Sequence, residues 1–400
     1  MPASIHDFLA HGLLQAGWGA LALYLLIATQ LTIFTVTLYL HRSQAHRGVD
    51  FHPVIAHFFR FWGWLTTSMI TREWVAIHRK HHAKCETDED PHSPMKKGIG
   101  TVFWRGVELY REARADRASI EKYGKGCPDD WIERHLYTPH ATMGPTLLLF
   151  TSFALFGFAG VAVWAIQMLW IPFWAAGVVN GLGHWWGYRN FVTDDTATNL
   201  SPWGVWIGGE ELHNNHHAFP SSAKFALRRF EVDIGWLAIR GLRRLGLAKV
   251  LRVAPTLNVR PNINVPDGDT LKALLAIRFQ AMTDYQRKVL MPALREEAAA
   301  AGAKLRALLP RKLRRGLADD GRWLKPDARR QLQDWVQQRP RMATLVEYRR
   351  RLAAVLEARS QNASDTLHAL QAWCHEAEAT GIRALQEYSA RLKGYSLQAA

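Results

Sequence analysis

From Gly12 to Leu40 the chain runs 29 residues, GLLQAGWGALALYLLIATQLTIFTVTLYL, without one charged side chain. A bilayer-crossing helix needs only about 20 apolar residues, so this run is expected to span. No Lys or Arg precedes it, which sets it apart from a secretory signal peptide, and Arg42 and Arg47 follow at once. The positive-inside rule then places the N-terminus outside and brings His41 out into the cytoplasm. A second run, Ala141 to Tyr188, is uncharged save for His184 and is long enough for two spans with a turn near Gly157 to Gly160. Between them, Val54 to Ile70 is apolar but short and carries His57 and Arg60, as an interfacial or re-entrant helix does.

Charge divides the chain. The formal net charge is +15, and about +14 of it lies after residue 240. There the pattern becomes Ala, Leu, Arg and Glu at helical spacing, as in LKALLAIRFQAMTDYQRKVL and EYRRRLAAVLEARS. Pro/Gly punctuation between Arg252 and Asp269 marks a linker. The expected organisation is a membrane-embedded region over 1–240, a linker over 241–269 and a basic helical cytoplasmic tail over 270–400. A tail of this composition is expected to lie against anionic membrane lipid; nucleic acid is not its expected partner. Cys85, Cys127 and Cys374 are scattered and lack CxxC spacing, which points to a reducing compartment without disulfides.

Three histidine boxes stand on this frame: HRSQAH (His41, His46), HRKHH (His78, His81, His82) and HNNHH (His213, His216, His217). Residues at i, i+3 and i+4 share one face of a helix, so the second and third boxes each aim three imidazoles one way. His41 and His46 are five apart, about 140° on an ideal α-helix, and cannot face one point unless the helix ends between them. NGLGH adds Asn180 and His184 at i, i+4. Three such boxes beside membrane boundaries predict a shared metal site. Ligands to one site lie on one side of the bilayer, so Val54 to Ile70 does not cross and the hairpin crosses twice. Eight box histidines with His184 and Asn180 exceed the needs of one ion, which implies two metals. Imidazole suits Zn, Cu, Fe and Ni, so ligand type alone does not name the metal; structural zinc sites usually draw on cysteine, and here only Cys85, just past the second box, lies near a histidine cluster, so iron is the expected metal. Glu73, Asp88, Asp90, Glu210 and Glu211 are candidate partners for ring N–H groups.

The ordered series HRSQAHR, EWVAIHRKHH followed by DEDPH, NGLGH, and GGEELHNNHHAFP resembles the membrane-bound acyl desaturases of the stearoyl-CoA (Δ9) type, nearest the bacterial ones, over roughly residues 30 to 235. That resemblance implies an all-α fold of integral membrane helices capped by a cytoplasmic helical histidine-box di-metal domain, followed by the soluble helical tail, in a bacterial inner membrane. It implies two iron ions held by His41, His46, His78, His81, His82, Asn180, His184, His213, His216 and His217. With O2 as co-substrate, these would remove hydrogen from adjacent methylenes of a saturated acyl chain, on CoA or a phospholipid, to leave a cis double bond. Where the family often reads GEGYHNYHHxFPxDYR, this chain has GGEELHNNHHAFPSSAKF, and Asn190 and Phe191 follow Arg189 in place of Pro-Tyr. These departures bear on head-group recognition and leave the ligands untouched.

Position should come from a narrow apolar channel, for which Trp62, Trp64, Trp74, Trp185, Trp186 and Trp206 are candidates, Trp74 foremost because it precedes His78 by four residues. No haem-attachment motif, GxGxxG or ferredoxin cysteine series occurs, so a separate ferredoxin- or cytochrome-type donor with an NAD(P)H reductase is implied. An alkane or lipid hydroxylase would share metals and topology; NGLGH and the DPH after the second box favour desaturation. A metal transporter would need ionisable residues inside its spans, which the hairpin lacks.

Overall fold

The computed structural model describes residues 4–302, 304–357 and 362–398; the remainder of the expected tail lies outside the described residues. The chain is mostly helical and divides into two compact units, one of residues 1–189 and 195–254, the other of 190–194 and 255–400. The divide after Ala254 falls inside the expected linker, and the linker's first part is structured: Ala248–Val250 pairs antiparallel with Val49–Phe51.

In the first unit, a short helix, Ile5–His11, precedes the uncharged run, most of which enters one rod, Trp18–Ala45, that is long and apolar enough to cross a bilayer. A second such rod is Phe158–His184, preceded by the shorter apolar helix Met143–Phe156. The turn between those two is at Gly157, where φ is +63° and a Cβ would sit 2.4 Å from the Leu9 carbonyl oxygen, so only glycine fits. The helix Pro53–Thr67 is 15 residues long, short of a span. Its Arg60 holds Asp130 through two bonds of 2.6 and 2.9 Å and Glu133 at 2.9 Å, which engages both terminal nitrogens of the guanidinium inside a mostly apolar helix.

The first rod finishes as π-helix, Thr35–Ala45, and the second passes through π-helix, Pro172–Gly181, before a last 3-10 turn, Leu182–His184. This overturns the expectation drawn from α-geometry for His41 and His46. The His46 N–H donates to the His41 carbonyl at 3.1 Å, a step of five residues, so positions five apart lie one above the other. The core beneath includes Leu38, Tyr39, Leu40, Phe59, Ile171, Val179 and Ile239. Arg42, fully buried beside the first box, forks onto both oxygens of Asp233 at 3.0 Å and lies 3.8 Å over the Phe225 ring.

The second unit is a helical bundle around Tyr285, Trp373 and Tyr388, whose ring centroids lie 5.0 to 6.4 Å apart. Each polar tip finds a carbonyl: Tyr285 that of Leu345, Trp373 that of Tyr348 and Tyr388 that of Ala281. Leu257–Val259 and Tyr395–Leu397 close it with an antiparallel ribbon.

Candidate metal centre

The boxes converge from four directions. His41 and His46 come from the π-helical end of the first rod, His78, His81 and His82 from the helix Thr71–Lys84, His184 from the turn ending the second rod, and His213, His216 and His217 from the short helix His213–Ala218. The ring atoms sort into two groups. In the first, one nitrogen from each of His41, His46, His78, His82 and His216 lies within 4.8 Å of all the others. Within it the Nε2 atoms of His41 and His216 are 3.0 Å apart, those of His46 and His78 2.8 Å, and those of His82 and His216 2.9 Å. The second group holds His81, His184 and His217 with the Cys85 sulfur, again within 4.8 Å. His213 Nε2 stands 3.0 Å from His184 Nε2. Asn180 lines a cavity beside His213.

Carboxylates fix the rings. Nδ1 of His41 meets Glu210 at 2.7 Å, that of His81 meets Asp90 at 2.9 Å, that of His184 meets Glu86 at 3.0 Å, and that of His217 meets Asp195 at 2.8 Å. An Nδ1–H donated to a carboxylate leaves the Nε2 lone pair free to face inward, the arrangement that orients metal-binding imidazoles. Burial, and then the charge of neighbouring imidazoles, holds His46, His78, His82, His213 and His216 well below the ordinary histidine value. His217 is brought down to about 4 by burial, against the pull of Asp195. Burial also lowers His81, but the charge and hydrogen bond of Asp90 outweigh it and carry that ring above its ordinary value. A neutral imidazole is the metal-binding form. His217 Nε2 is buried with no hydrogen-bond partner, an orphan that a cation would satisfy. The donor set therefore fits metal ions in two groups.

Of the carboxylates expected at ring nitrogens, Asp90 and Glu210 are there. Glu73 instead pairs with Arg114 and Arg117, Asp88 with Lys96, and Glu211 accepts the backbone N–H groups of Trp206, Ile207 and Gly209. Glu86 and Asp195 escaped the sequence reading: Glu86 lies four residues past the second box, while Asp195 follows a loop with no periodic signal. His92, in the DPH triplet, also escaped. Its ring stacks on His81 at 4.4 Å between centroids, and its buried Nε2 has no hydrogen-bond partner.

Beside the imidazoles opens a cavity of about 430 Å³, lined by Val36, Trp74, Ile77, Ile171, Ala175 and Val179, with His41, His78, His92 and His213 at its polar end. Trp74 lies parallel to the His78 ring, 5.0 Å between centroids and 10° between planes. Trp185 and Trp186 do not line it; they are 53% and 67% exposed, because the rod tightens to a 3-10 turn at His184 and the chain leaves the core. Trp206 is likewise on the surface, while Trp62 and Trp64 tie helices together through Thr32 and the His140 carbonyl.

Comparison with known proteins gives the family. Residues 16–236 match the family model "Fatty acid desaturase". The chain is 32% identical over 237 residues to Delta-9 acyl-lipid desaturase 1 of Arabidopsis thaliana, covering 58% of this chain and 74% of that protein. It is 30% identical over 243 residues to the sn-1 stearoyl-lipid 9-desaturase of Anabaena variabilis (59% and 85%) and 30% over 251 residues to the icosanoyl-CoA 5-desaturase of Limnanthes douglasii (61% and 68%). With the family model matching more than half of its length and all three boxes inside the match, this chain belongs to the fatty acid desaturase family.

Proposed function

We propose that this chain inserts a cis double bond, at Δ9, into a saturated acyl chain carried on a membrane lipid or CoA. The observation that carries the reading is the pairing of two imidazole groups with a largely apolar cavity that His41 and His78 of the first group line, together with His213. His41, His46, His78, His82 and His216 would hold one iron and His81, His184, His213 and His217 the other, with Asn180 beside them. The iron pair supplies the redox chemistry with O2 that no side-chain acid or base can perform on an unactivated methylene. Overall, two C–H hydrogens, two electrons and two protons reduce one O2 to two waters.

The chain's own residues do the rest. Val36, Ile171, Ala175 and Val179 exclude water and confine the acyl chain, while Trp74, stacked on His78, forms the wall where the cavity meets the rings. Glu210, Asp90, Glu86 and Asp195 keep the Nδ1–H of His41, His81, His184 and His217 engaged and their Nε2 turned inward. The Δ9 position and a lipid-linked chain follow the names of the Arabidopsis and Anabaena relatives; the Limnanthes name keeps acyl-CoA open. The two apolar rods and the shorter helix beside them would embed the protein in the bacterial inner membrane, N-terminus outside, boxes and tail cytoplasmic. Electrons would come from a ferredoxin- or cytochrome-type donor and its NAD(P)H reductase.

The test is the fatty-acid profile of a desaturase-deficient host expressing the chain aerobically, beside His216→Ala, with double bonds located by mass spectrometry. A new monounsaturated acid that depends on His216 is expected. Oxygenated lipids in its place would move the assignment to hydroxylation.

A further inference from the structure

The second imidazole group contains a thiol. Cys85 caps the helix Thr71–Lys84 and follows His81 by four residues, one turn on along the same face. Its Sγ lies 3.8 Å from His81 Nε2, and Sγ and one nitrogen each of His81, His184 and His217 are mutually within 4.8 Å. Nitrogen at about 2.1 Å and sulfur at about 2.3 Å from one ion stand roughly 3 to 4 Å apart, so this is the spacing of co-ligands. His217 Nε2 is an independent pointer. It is buried, its Nδ1 is engaged by Asp195, and it has no hydrogen-bond partner of its own. Within the same radius the first group draws five imidazoles, and the second draws three together with the sulfur; His213 stands against this second group, 3.0 Å from His184. Cys127 and Cys374 join neither group.

We infer that Cys85 Sγ is a further ligand of the second metal ion, beside His81, His184, His213 and His217; this rests on the metal-centre reading proposed above. On binding, the S–H bond is exchanged for a sulfur–metal bond and the proton leaves to solvent. The two ions are then chemically unequal, one in an all-imidazole field and the other in a mixed nitrogen and sulfur field that favours a softer ion.

Full-length protein loaded with Co2+ reads this directly. The wild type is expected to show a near-ultraviolet thiolate-to-cobalt charge-transfer band. Cys85→Ser should lose that band while keeping its visible ligand-field bands, and Cys127→Ser should keep both. X-ray absorption on the wild type asks the same without a variant: a sulfur neighbour at about 2.3 Å is expected. An unchanged band in Cys85→Ser, or a cobalt shell of nitrogen and oxygen alone, overturns the inference while leaving a metal centre in place. Failure of the wild type to take up cobalt, counted by elemental mass spectrometry, overturns the metal-centre reading and this inference with it.

Discussion

Asp195 shows how much one residue outside the boxes can govern. It holds His217 Nδ1 at 2.8 Å and is itself kept well below the usual carboxylate range: burial opposes this, but the His217 charge and hydrogen bond prevail. Asp195→Asn keeps the shape but can present its amide N–H to the ring, which forces the other tautomer. Metal affinity, measured by competition with a chelator, is expected to fall about 10- to 100-fold. A second prediction concerns acid. The lowered histidines bind no proton in the fold where the unfolded chain would, so stability is full above the ordinary histidine value of about 6.5 and is lost as pH falls below it. For His217, brought down to about 4, the loss reaches about 3 kcal/mol at pH 4. His81, raised, works the other way. In thermal melts, the metal-free protein should lose Tm steadily from pH 6.5 to 4 and the metal-loaded protein should lose less, because bound metal competes with the protons.

At the scale of elements, the π-helical stretches of the two rods matter most. The five-residue step from His41 to His46 brings both rings to one group, where an α-helix of the same sequence would splay them. Inserting one alanine between Ser43 and Gln44 turns the step into six residues and swings His46 off the group, while the apolar part of the rod keeps its sequence. Metal content by elemental analysis is expected to fall to about half, with membrane extraction unchanged; full metal content would show that the π-turn is dispensable. The apolar runs, the hairpin turn at Gly157 and the two i, i+3, i+4 boxes were legible because period and hydropathy are local properties of the chain. The π-turn was not, because no local propensity distinguishes it from α-helix; its residues Leu38, Tyr39 and Leu40 pack into the core, a tertiary contact that short spacing does not show.

For the whole molecule, the chain path carries a consequence that the ligand list hides. Residues 190–194 belong to the second unit, where the Val192 N–H donates to Thr283 at 2.8 Å and Arg278 pairs with Asp194 at 3.3 Å, and the next residue is Asp195. A chain truncated after Ala254 keeps every proposed ligand but strips 190–194 of these partners. Its metal affinity is expected to drop by an amount comparable to Asp195→Asn; unchanged affinity would show that Asp195 is positioned by the first unit alone. The sequence by itself determined the helical class, the uncharged rods, the histidines that meet and the family they resemble, since each depends on residue type at short spacing. Only the tertiary structure decided how the imidazoles divide into two groups, that Glu86 and Asp195 join Asp90 and Glu210 at the rings while Glu73, Asp88 and Glu211 serve elsewhere, that Trp74 lines the cavity and Trp185 and Trp186 do not, and that Cys85 stands among the second group. The reason is physical: each of these depends on distances between segments far apart in sequence, and those are set by how the rods and loops pack.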